Sequence, residues 1–190
     1  MNKIFALFTV ALLLFSCNTS SNSDNNGNSN VEVTERVTSK NQLFLDLIRP
    51  ETSGMFRGIE FDMSKDEVKK IETSRGNVTI YRDETPEELI VTTDMGRNKS
   101  NFADITYSFD GQGLYSVTVE SYTDTKENAL EVFNEVKKYF TNKYGAPYEA
   151  EDGFSEYTID GANKKYMIAV KNIDNVEDSF GMYIYIDITE

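Results

Sequence analysis

Residues 102–122 carry the pattern that most constrains the fold. Ala103, Ile105, Tyr107 and Phe109 alternate with polar neighbours, and after Asp110-Gly111-Gln112-Gly113 the alternation resumes through Tyr115, Val117 and Val119. Successive side chains of a strand point to opposite faces, so this period of two specifies strands with one buried side. For the two apolar sets to meet, odd positions must pair with odd ones, which requires an odd-length loop or a bulge around Asp110 to Gly113. Gly113 is the residue suited to the left-handed conformation of such a bulge.

The same alternation predicts strands over residues 78–82, 89–93, 102–109, 114–122, 154–159, 164–172 and 180–188, all rich in Val, Ile, Thr, Tyr and Phe. Thr85-Pro86, Met95-Gly96-Arg97-Asn98 and Asp160-Gly161 supply turns. In the last strand Met182, Ile184, Ile186 and Ile188 face one way, with Tyr183, Tyr185 and Asp187 opposite.

Three segments switch to helical spacing. Ser39 to Gln42 suggests a capping box for a short helix through Leu43, Leu45, Leu47 and Ile48, stopped before Pro50, although the alternating leucines also suit a strand. Ser64-Lys65-Asp66-Glu67 is a fuller capping box, with Met63 and Val68 placed as a hydrophobic staple, and predicts a helix from Lys65 to about Thr73. Ala129, Val132, Phe133, Val136 and Phe140 share one face of a longer helix that starts near Thr125 and is stopped by Gly145 and Pro147. The expectation is an α+β domain: an antiparallel sheet with helices packed on one face. Helix starts at Ser64 and near Thr125, each followed by strands, hint at a tandem helix-plus-sheet repeat.

Composition then narrows the function. The chain has 190 residues, no His, one Cys and a formal net charge of -13. It therefore lacks the residues for a His-containing triad, a His or Cys zinc cage, or an internal disulfide. Its acidic excess opposes binding to nucleic acid and electrostatic attachment to anionic lipid.

The single cysteine has a specific address. Lys3 precedes an apolar run over residues 4–15, which is signal-length and well short of the roughly 20 residues that span a bilayer. Leu14-Phe15-Ser16-Cys17 resembles the lipobox of bacterial lipoproteins, with Phe15 bulkier than the small residue usual there. The resemblance implies a signal peptide over residues 1–16 and acylation of Cys17, the lipid attachment site. Asn18 after the cysteine, by resemblance to the sorting rule of enteric bacteria, favours the outer membrane. Residues 18–30 contain only Asn, Thr, Ser, Asp and Gly, a composition expected to form a disordered tether, so residues 17–38 form a spacer and 39–190 a single domain.

Ile59-Glu60-Phe61-Asp62-Met63-Ser64-Lys65-Asp66-Glu67-Val68 resembles the "G-M-S/T-K-x-E-V" helix opening of proteins with the β-lactamase-inhibitor-protein-like fold. Asp62 stands where that pattern has Gly. Tyr107-Ser108-Phe109-Asp110-Gly111 with Leu114-Tyr115, and Lys143-Tyr144-Gly145-Ala146-Pro147, are similar to segments of secreted and lipid-anchored bacterial domains of that type. These motifs describe a cap, a hairpin and a helix stop, so the resemblance implies the fold and no inhibitory target or assembly role.

Carboxylates are the acid/base groups present in quantity. Asp83 with Glu84, Glu87 with Glu88, Glu151 with Asp152 and Glu177 with Asp178 are adjacent acids of the kind ordinarily solvated in loops, whereas a glycosidase pair needs defined spacing across a sugar. No Gly-x-Ser-x-Gly or Ser-x-x-Lys core is present. Asp174 to Asp178 and Asp24 to Gly27 have oxygens suited to calcium, but neither completes the twelve-residue loop with its terminal glutamate. No catalytic, cofactor or metal site is therefore expected. Tyr183 and Tyr185 are the candidate binding surface: a pair that is ordinarily cross-strand packing but, if exposed, forms a platform for a protein or a sugar ring. The sequence thus suggests a lipid-anchored envelope protein that acts by binding. A protein-interaction module ranks first, a carbohydrate or small-ligand binder second and a carboxylate hydrolase a distant third.

Overall fold

The structure, a computed structural model, describes residues 41–161, 164–176 and 179–189, and the side chains of 174–179 are not described. Its elements run α1 (Gln42–Ile48), α2 (Lys65–Thr73), β1 (Val78–Arg82), β2 (Glu88–Asp94), β3 (Phe102–Asp110), β4 (Gly113–Thr123), α3 (Lys126–Tyr144), β5 (Tyr148–Glu149), β6 (Ser155–Asp160), β7 (Lys165–Val176) and β8 (Ser179–Ile188). The strands form one antiparallel sheet in the order β1-β2-β3-β4-β8-β7-β6-β5. The fold is mixed α+β.

Register converts the alternation into two faces. Leu89, Tyr107, Val117, Ile186, Ile168 and Tyr157 form one continuous cross-strand row, and Val91, Ile105, Val119, Ile184, Val170 and Ser155 form the next. All twelve are buried. The helices contact this side: Tyr107 reaches Glu72 of α2, Tyr157 donates to the Lys137 carbonyl of α3 at 3.1 Å, and Phe44 of α1 meets the Tyr139 ring of α3.

The hairpin pairs odd with odd as the alternation requires: Ile105 faces Val119 and Tyr107 faces Val117. The bulge itself lies inside β4, where Ser108 pairs with Ser116 and Phe109 with Leu114, leaving Tyr115 as the extra residue. Tyr115 is 40% exposed, so it does not join the Val117 and Val119 face as the alternation predicts. Gly113 has φ +125°, and a Cβ there would come within 2.5 Å of the Asp62 carbonyl oxygen. The hairpin is thereby seated against the loop before α2, where Asp62 N bonds the Leu114 carbonyl and Leu114 N the Met63 carbonyl. Asp62 has φ +66°, a left-handed position at the site of the pattern's Gly; the short Asp side chain tolerates it.

Helix α2 follows its caps closely. Ser64 accepts from Glu67 N while Glu67 accepts from Ser64 N, and Val68 is buried with Met63 packed against the same core. Helix α1 starts later than a Ser39 box implies: Asn41 is its N-cap, accepting from Phe44 N, because an Asn side chain reaches that orphan amide directly. In α3, capped by Thr125, Ala129, Val132, Val136 and Phe140 are buried, and Phe133 is half-buried. The two-residue strand β5 has no counterpart in the expected strands, since both residues are exposed and too few to show a period. A helix followed by four strands occurs twice along the chain, with the two sets joined at β4 and β8. The helices concerned have 9 and 19 residues, and this order alone does not establish a tandem repeat.

Candidate functional site

The opposite sheet face has no helix among the contacts described above. Its rows follow from the same register: Phe102 faces Tyr122 and then Gly181; Asp104 faces Glu120, Tyr183 and Lys171; Thr106 faces Thr118, Tyr185 and Ala169; Ser108 faces Ser116, Asp187 and Met167. Phe102 and Tyr122 stack with ring centroids 5.0 Å apart. Tyr183 is half-buried and Tyr185 is 37% exposed. At the far edge of the same face Tyr148 is 68% exposed beside Glu156. The two tyrosines singled out from the sequence therefore belong to an aromatic band across β3, β4 and β8.

Hydroxyl groups in this band are bound to carboxylates. Tyr122 OH donates to Glu120 Oε2 at 2.9 Å, Tyr185 OH to Asp187 Oδ2 at 2.7 Å, and Thr92 Oγ1 to Asp104 Oδ1 at 2.6 Å. Partial burial, followed by the bond to Glu120, pushes the Tyr122 phenol up to about 12. The bond to Asp187 is the main cause of a raised Tyr185 phenol, with partial burial adding to it. Both phenols stay neutral donors at physiological pH, which fixes the carboxylate positions. Asp104 and Glu120 sit directly opposite each other, an arrangement that costs stability through like-charge repulsion.

Phe102, Tyr122, Asp104 and Glu120 were absent from the sequence-derived candidates. Their signal was available in parity: if odd residues of the hairpin pair toward the core, even residues pair on the other face.

A shallow recess of 270 Å³ lies at the end of the sheet, lined by residues including Asp62, Ser64, Lys65, Phe109, Asp110 and Gln112. Lys65 is committed to Asp83 at 2.6 Å, and Lys164 binds Asp62 at 2.5 Å. The adjacent acids of the sequence reading are placed on loops and strand ends. Asp83 is held by Lys65 and Lys69, Arg82 lies 3.8 Å from Glu88 and 3.9 Å from Glu84, and Glu87, Glu151 and Asp152 are exposed. Glu177 and Asp178, and both calcium candidates, lie outside the described side chains. Among the described residues no group of three potential metal ligands converges. Cys17 also lies outside the described residues; among those described, no helix is long and apolar enough to cross a membrane.

Comparison with models of known families, with curated proteins and with solved structures gives no match to this chain.

Proposed function

We propose that the chain is a lipid-anchored protein of the bacterial cell envelope, held by an acylated Cys17 in the outer membrane, whose α+β domain binds a protein partner on the sheet face opposite α1, α2 and α3 and performs no chemistry. The observation that carries this reading is the aromatic band of Phe102, Tyr122, Tyr183 and Tyr185 on the side opposite the helices. Rigid aromatic side chains with a polar tip supply contact area at small entropic cost, and they are enriched where proteins meet. An open sheet face with aromatic rings interleaved with carboxylates suits a protein better than a sugar, which calls for a concave pocket lined by tyrosines and amides. The recess beside α2 has no tyrosine in its lining. A hydrolase would need its two carboxylates across a deep cleft, whereas Asp104 and Glu120 stand side by side on an open sheet.

The capping sequence before α2 supports the resemblance to the β-lactamase-inhibitor-protein-like fold, and the twofold succession of a helix and four strands supports, separately, a tandem repeat. No inhibitory target follows from that placement.

A photoreactive residue in place of Tyr185 tests the docking face in native membranes, with the same residue in place of Leu130 on α3, 46% exposed, as the reference. A discrete cross-linked species is expected at Tyr185 and not at Leu130. Equal yields at the two positions, or none at either, overturn the assignment of the face.

A further inference from the structure

Resting on that docking reading, we infer that the partner presents a basic protein surface, with an Arg or Lys seated between Asp104 and Glu120. Strands β2, β3, β4 and β8 place Glu88, Asp94, Asp104, Glu120 and Asp187 on the open face and no Lys or Arg. Lys171 on β7 is the nearest cation in the Asp104 row, on the far side of Tyr183, and its ammonium lies 5.1 Å over the Phe154 ring. Among the described residues no Lys or Arg is within ion-pair distance of Asp104, Glu120 or Asp187.

Several cations at the margins of the sheet are paired with other acids. Lys65 and Lys69 hold Asp83, Arg82 approaches Glu84 and Glu88, and Lys165 lies 3.6 Å from Asp160 at the end of the β6–β7 hairpin. Asp104 and Glu120 at the centre of the face thus have no neutralising cation, whereas Asp83, Glu88 and Asp160 at its margins do. Directly opposed carboxylates destabilise the free sheet, and a cation between them removes that repulsion in the complex. Their flanks suit a guanidinium in particular: its planar fork matches carboxylates, and its faces stack on aromatic rings such as the Phe102 and Tyr122 pair. A fully acidic or neutral partner would leave these carboxylates desolvated without a counterion, which is strongly unfavourable.

The test uses the acylated full chain in zwitterionic nanodiscs and two labelled probe peptides, one alternating Arg with Thr and one with citrulline in place of each Arg. The Arg peptide is expected to bind, weakening about tenfold or more as salt rises from about 50 to 300 mM, and the citrulline peptide is expected to bind at least about tenfold more weakly. Asp104→Asn with Glu120→Gln, near-isosteric changes on an open face, should weaken the Arg peptide by about tenfold. Glu151→Gln with Asp152→Asn removes the same charge from a distant loop and should leave binding unchanged. Equal binding of the two peptides, equal effects of the two double variants, or no binding of either peptide overturns the basic partner. The Tyr185 cross-link separates this from the docking reading. If cross-linking persists undiminished in Asp104→Asn/Glu120→Gln membranes at high salt, the basic partner fails and the docking face stands; if Tyr185 gives no cross-link above Leu130, the docking face itself fails.

Discussion

Arg57 and Glu72 hold each other through two parallel hydrogen bonds of 3.0 Å, and both side chains are fully shielded from solvent. The remaining Arg57 nitrogen, Nη1, donates to the carbonyls of Asp46 at 2.6 Å and Leu47 at 2.8 Å, near the C-terminal end of α1. Glu72 in turn accepts from Tyr107 OH at 2.7 Å and pairs with Arg75 at 2.5 Å. One ion pair thereby joins α1, α2, the loop between them and the centre of the sheet. Arg57 adopts φ +54°, and a bulky residue holds that conformation only when its surroundings over-determine it.

Replacing one partner should therefore cost far more than a surface salt bridge would. Glu72→Gln is expected to destabilise the domain by about 3–5 kcal/mol, because it leaves Arg57 buried without its counterion. Arg57→Met with Glu72→Leu should cost less than either single change, since both charges go together. Urea unfolding of the three variants checks this; a double variant less stable than both single ones would refute it.

Acid should dissolve the same linkage. Burial alone would raise the Glu72 carboxyl, but the hydrogen bonds and charges of Arg57 and Arg75 outweigh it and bring it down from 4.5 to about 2. A group whose folded pKa is depressed contributes stability that is complete above its unfolded value and lost as pH falls through its folded one. The contribution, about 3 kcal/mol, should be present at pH 7 and disappear between about pH 5 and 2. Unfolding curves of the native chain and of Glu72→Gln should converge over that window, and a constant gap would contradict the linkage.

Two glycines predict opposite outcomes. Gly181 faces Tyr122 where β4 meets β8, and a Cβ there would run into the Ser121 carbonyl oxygen. Gly181→Ala forces the two central strands apart and should cost about 2–3 kcal/mol or more. Gly111, in the hairpin loop, has open space around it and no left-handed φ, so Gly111→Ala should change stability by less than about 1 kcal/mol. Thermal unfolding of the pair provides the comparison.

Membrane attachment has a direct assay. Cys17→Ala should move the protein from the membrane fraction to the soluble one, because a single acylated residue is the proposed anchor. Retention of the variant in washed membranes would remove the lipoprotein assignment.

Much of the architecture could be read locally. The α2 capping box, the stop at Gly145 and the odd-with-odd register of the 102–122 hairpin depend on neighbouring residues, and each is where the spacing places it. The aromatic face was legible only in part. Tyr183 and Tyr185 show their side by alternation within one strand, whereas Phe102 and Tyr122 gain their meaning from being brought beside them. Nothing near Arg57 marks it as buried; an isolated Arg in a Gly-flanked loop reads as a surface charge.

The periods, the caps and the address of the lone cysteine are properties of short stretches of chain, and the acidic balance is a simple sum over it, so all of them are legible without the fold. Only packing of the whole chain pairs β4 with β8, joining Ser121 to Met182 across 61 residues, and brings Arg57 to Glu72. The physical reason is the same in both cases. Backbone groups and buried charges must find partners once water is excluded, and which distant partner is available depends on how the whole chain packs.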